Sequence, residues 1–148
     1  MAKGTITFPV DGRLQGKIEW SSTSNGSIEN SSTVTAVLYV RRTNGYDTYG
    51  SAWKGYITID GSNYSWSDLG FTLHTGTDSA WQKAKTYSRT IKHNENGSKT
   101  ITIAGSIKGP NGTSLGDYTS SGSGQAVLDT IPRQATISTA PNFTDEDN

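Results

Sequence analysis

The sequence predicts an all-β protein, a two-sheet antiparallel β-sandwich (jelly-roll or Ig-like) of about eight short strands. Three observations lead there. Apolar and polar residues alternate in short runs, the period of a strand with one face buried. Turn dipeptides break those runs at Asp11-Gly12, Asn25-Gly26, Asn44-Gly45, Asp60-Gly61, Asn96-Gly97 and Asn111-Gly112. No window shows helical periodicity; the nearest, 78–86, is short and poor in apolar side chains. A closed barrel is the other way to arrange the same strands. Seventeen glycines with abundant Ser, Thr and Asn suit such a turn-rich chain.

The elements follow in order. Residues 4–8 alternate with Ile6 and Phe8 inward, and Pro9 ends the strand. Residues 14–22 place Leu14, Gly16, Ile18 and Trp20 on one face, and 21–32 is a polar loop. The most β-prone run, 33–42, has Val34, Ala36, Leu38 and Val40 on one face and Val37 and Tyr39 on the other, the pattern of a central strand. Residues 43–52 form a loop holding Tyr46 and Tyr49. Trp53, Ile57 and Ile59 share a face of the next strand, and Asp60-Gly61 turns it into 63–67, where Tyr64 and Trp66 lie together. Phe71 and Leu73 mark a short further strand. Then comes the clearest object, 86–107, read as a hairpin: Tyr87, Arg89 and Ile91 on one face before a polar turn at 93–98, Ile101, Ile103 and Ile107 after it. Asn96-Gly97 supplies the pair that tolerates positive φ in such a turn. A last extended run, 117–129, points Ala126 and Leu128 inward. The composition shifts beyond it, so residues 1–131 read as one sandwich module and 132–148 as a linker and the start of a following module.

Charge and composition exclude several classes. The 148 residues carry 13 basic and 13 acidic side chains, and without Asp145, Glu146 and Asp147 the balance is only +3. Scattered as it is, that charge does not suggest a nucleic-acid surface. No apolar run reaches the roughly 18–20 residues of a membrane span, so no membrane partner is expected. With no cysteine, disulfides and thiolate metal sites are out.

Catalytic patterns fail on context. Gly112-Thr113-Ser114-Leu115-Gly116 has the letters of a nucleophile elbow, but it follows a Gly-Pro-Asn turn and precedes a loop, with neither the strand nor the helix that motif needs. A calcium loop around Asn94 and Asn96 would put Lys92 and Ile103 at its first and twelfth positions, where oxygen ligands are required. His74 and His93 have no second ligand at metal spacing, and His93 is expected to hydrogen-bond within its own turn and orient it against a neighbouring strand. No metal, no cofactor and no enzymatic activity are expected.

The aromatics remain. Trp20 and Trp53 share faces with Ile or Leu and read as core. Tyr46 and Tyr49 flank Asp47 in a loop with no core to fill, while Trp66 and Trp81 border polar loops and balance between core and platform. Sugar rings offer flat C–H faces for stacking. Tyr46, Asp47, Tyr49, Trp66 and Trp81 are therefore the candidate saccharide contacts.

Three pieces in order carry a resemblance: 33–43 (TVTAVLYVRRT), 93–100 (HNENGSKT) and 130–133 (TIPR), joined by the 56–61 strand-turn (YITIDG). Together they resemble a family of structural proteins of unknown function from siphophages of Gram-positive bacteria, streptococcal type especially. The resemblance covers most of 30–148. It implies a virion location, a tail-tip, baseplate or fibre module acting in host attachment at the bacterial cell surface. Its partners would be cell-wall polysaccharide or teichoic acid and other tail proteins, with a homo-oligomer within a larger polypeptide. The rival reading is a purely structural spacer or oligomerisation domain of the tail. No catalytic residues come with the family.

Overall fold

Eight antiparallel strands form two four-stranded sheets in a computed structural model that describes residues 1–44, 47–49, 52–73 and 80–133. Strands β1 (Lys3–Thr7), β2 (Leu14–Ser24), β3 (Ser31–Arg42) and β6 (Gln82–Lys92) make the first sheet, ordered β1-β2-β3-β6. Strands β4 (Trp53–Ile59), β5 (Ser62–Leu69), β7 (Lys99–Lys108) and β8 (Thr119–Leu128) make the second, ordered β5-β4-β7-β8. Each sheet keeps two edges, so the fold is the expected sandwich and not a barrel. As the alternation required, Leu14, Ile18, Trp20, Val34, Ala36, Leu38 and Val40 meet Trp53, Ile57, Ile59, Ile101, Ile103 and Ile107 in one core. The expected central strand is β3, paired with β2 on one side and β6 on the other.

One sequence expectation is overturned. The run 86–107 is not a hairpin: β6 belongs to the first sheet and β7 to the second. The turn at 93–98 is an arch that carries the chain across the core. Both runs bury one face, and a hairpin and an arch share that alternation; only strand pairing separates them. The expected self-bonding of His93 holds. Its ring is buried, with Nδ1 2.6 Å from Gly97 O and Nε2 2.8 Å from Ser32 Oγ on β3. The Phe71–Leu73 strand shrinks to a single bridge between Leu73 and Thr48, with Phe71 packed edge-on against Trp53 at 5.5 Å.

Glycines on three strands make room for one aromatic. Phe8 follows β1, is almost wholly buried, and fills the space where Cβ atoms on Gly16, Gly105 and Gly122 would lie 2.8–3.1 Å from its ring. Pro9 then swings the chain away from β2. Gly16 N–H loses its β1 partner and donates instead to Ser120 Oγ of the opposite sheet, which itself donates to Pro9 O at 2.7 Å.

The strand directions give the sandwich two poles. The strand ends from which the long connections leave, Arg42, Trp53, Leu69, Gln82, Lys108 and Thr119, lie at one. The tight turns, the arch and the exit after β8 gather at the other. There Ile131 is buried and donates its N–H to Gly97 O at 2.9 Å. Two of the pieces that carried the family resemblance thus pack on each other.

Candidate functional site

The outer face of the first sheet gathers charged, hydroxyl and aromatic side chains around one depression. Odd-numbered residues of β1, β2 and β3 point away from the core. Lys3 stands opposite Ser21, Thr5 opposite Glu19, Glu19 opposite Val37 and Lys17 opposite Tyr39. Lys3, Thr5, Glu19, Ser21, Val37 and Tyr39 border an open depression of about 540 Å³. Lys17 Nζ bonds Glu19 at 2.9 Å and sits 5.4 Å from the Tyr39 ring centroid.

Trp81 closes one end of this face. Lys17 Nζ lies 4.7 Å and the Arg41 guanidinium carbon 5.0 Å from its ring centroid, both within cation–π range. Arg41 is held in turn by Gln15 Oε1 at 2.8 Å, and Gln15 Nε2 is anchored on Phe8 O at 2.9 Å. A bulge puts Trp81 there. The β3–β6 register slips between Leu38 and Tyr39, so Lys85 faces Leu38 while Lys83 faces Tyr39. Below the slip the odd residues Tyr87 and Ile91 point inward; above it the parity is reversed. Without that extra residue Trp81 would point to the core.

The candidates read from the sequence do not come together as one site. Tyr46 lies outside the described residues. Asp47 and Tyr49 are exposed, Tyr49 at 65%, on either side of Thr48, which is buried and exchanges backbone hydrogen bonds with Leu73 at 2.9 and 3.0 Å. Trp66 lies on β5, facing the core side opposite Gly55, where a Cβ would come within 2.7 Å of its ring. Tyr64, Tyr87 and Lys85 surround it at the open margin between β5 and β6, with Tyr64–Trp66 and Tyr64–Tyr87 centroids 5.9 and 5.2 Å apart. Trp66 and Trp81 therefore belong to different faces. Sequence reasoning missed Lys17, Glu19 and Arg41. The signal was present: Tyr39 had already been placed on the face opposite the core.

The sequence and this geometry define an all-β sandwich module with a mixed aromatic and charged outer face. The chain belongs to the family described as siphovirus protein of unknown function (DUF859), whose model matches residues 12–145. It is thus a bacteriophage protein, and the family suggests a structural component of the virion. No curated protein and no solved structure matches the chain. Among the described residues, no group of three or more His, Asp or Glu side chains could hold a metal ion.

Proposed function

We propose that this module serves host attachment from the phage tail tip, baseplate or fibre by binding cell-surface polysaccharide or teichoic acid of a Gram-positive host, streptococcal by resemblance. It binds and does no chemistry of its own. The observation that carries the reading is the outer face of the first sheet. Tyr39 supplies a flat apolar ring at the depression and Trp81 another at the end of the same face; Thr5, Ser21, Glu19 and Lys3 supply donors and acceptors around the depression. Saccharide recognition needs both, because ring C–H faces stack on aromatics while hydroxyls must exchange water for protein hydrogen bonds. Lys17 and Arg41 add positive charge for phosphate or carboxylate groups of a wall polymer. Tyr49 is exposed beside the Thr48–Leu73 bridge and extends the contact surface.

Weak single-site affinity suffices when many copies act together, so the test uses a multimerised chain. Purified host cell walls and a glycan array are probed with the wild type, Tyr39→Ala and Trp81→Ala. The expected result is saturable binding that each substitution weakens about tenfold or more, the equivalent of roughly 1.4 kcal/mol. Absence of binding by the multimer sinks the attachment reading and leaves the structural-spacer reading standing.

A further inference from the structure

We infer that the free edge of β8 is an interface at which a second copy of this chain adds, joining two second sheets into one continuous sheet. The four edges of the sandwich differ in how they are defended. Native proteins block edge-to-edge pairing with charged side chains, bulges or very short strands. Edge strand β6 carries Lys83, Lys85, Arg89 and Lys92; β5 carries Asp68 and a register slip against β4; β1 is five residues long and begins at Lys3. Edge strand β8, Thr119–Leu128, is ten residues long, with no charged residue and no proline. Beyond the Asp11 carboxylate at its Thr119 end, its own residues supply none of the usual defences.

The hydrogen-bonding phase identifies the groups on offer. Gly109 N–H donates to Tyr118 O at 3.3 Å, and β8 pairs with β7 in the register Lys108↔Thr119. Even-numbered residues of β8 therefore bond to β7, and odd-numbered ones turn N–H and C=O to the edge. Thr119 N–H is already capped by Asp11 Oδ2 at 2.8 Å. Ser121, Ser123, Gln125 and Val127 have no backbone partner on that side among the described residues. An antiparallel copy related by a two-fold axis at Gly124 sets Ser121 against Val127 and Ser123 against Gln125. Every open donor then meets an open acceptor, as an isologous interface requires.

Side chains agree with this pairing. Val127 is 67% exposed on the outer face of the second sheet, and cross-strand packing would cover part of it. Opposite it stands Ser121, with Thr119 and Ser123 on the diagonals, so no charged side chain of β8 meets another. The copy is favoured over a foreign strand because the open groups are symmetric about Gly124 and no charge on β8 selects an oppositely charged partner.

The test is the solution mass of the full chain by sedimentation velocity across low to high micromolar concentration. Ser123→Pro is the informative variant. Its N–H faces the edge, so proline removes an intermolecular bond without breaking the β7 ladder. Ser123→Lys is the milder companion, placing a charge beside its symmetry mate. The wild type is expected to shift from monomer to dimer with concentration, both variants to remain monomers, and all three to give the same β-sheet circular dichroism. A wild type that stays monomeric throughout, or a dimer that both folded variants retain, overturns the inference. So does a monomer that captures an unrelated extended peptide at this edge. The readout is independent of glycan binding, so either proposal can fail alone.

Discussion

Position 97 has a backbone φ of +88°, and a Cβ built there would lie 1.9 Å from Ile131 O. Only glycine meets both conditions, the left-handed turn and the close approach of the exiting chain. The Gly97 carbonyl accepts from both His93 Nδ1 and Ile131 N–H, and His93 Nε2 meets Ser32 Oγ, so the arch, β3 and the segment after β8 are joined at one point. Phe8 shows the complementary case, where a large side chain exists because three glycines leave it space. Truncating it opens a cavity that the rigid sheets cannot close. Phe8→Ala is expected to cost about 3–5 kcal/mol, read as a lowered urea midpoint with unchanged slope.

Among elements, the arch explains how two sheets become one body. Strands β6 and β7 share no ladder, and side chains of β6 supply polar contacts to the second sheet. Arg89 on β6 reaches across the margin and donates to Ile59 O and Asp60 O of the β4–β5 turn at 2.8 and 2.9 Å. Ser62 Oγ and the Tyr87 hydroxyl meet at 2.8 Å beside it. These contacts pin the edge of the first sheet to the edge of the second, and part of the Arg89 contact faces water. Arg89→Ala is therefore expected to lose about 1–2 kcal/mol, less than a core cavity, and to speed amide exchange selectively in β5 and the 60–61 turn.

For the whole molecule, the poles have different tasks. One holds Trp81 and the strand ends from which the long connections leave; the other holds the arch, the turns and the exit, with the Met1 amine 2.6 Å from Asp129. Both partners of that ion pair are well exposed, so it contributes little, whereas Ile131 is buried against the arch. The two are expected to separate cleanly in a thermal melt. Asp129→Asn should change stability by less than about 0.5 kcal/mol. Ile131→Asp should cost about 2–4 kcal/mol by burying an unpaired charge where an apolar side chain belonged.

Much of this was legible along the chain. Alternation named the core residues of β2, β3, β4 and β7, and turn dipeptides located most strand ends, because burial on one face of a strand writes itself into a period of two. The class of fold and the choice of Trp20 and Trp53 as core depended on nothing else. Two matters were decided only in three dimensions. Pairing turned the 86–107 hairpin into an arch, since alternation says which face is buried but not which strand lies alongside. The bulge at Leu38/Tyr39 reversed the parity of β6 and moved Trp81 from the core side to the outer face, next to Lys17 and Arg41. A single extra residue does this because side chains alternate strictly, so a one-residue slip flips all that follow. Sequence determined that there would be two buried faces; register determined which aromatics were left outside them.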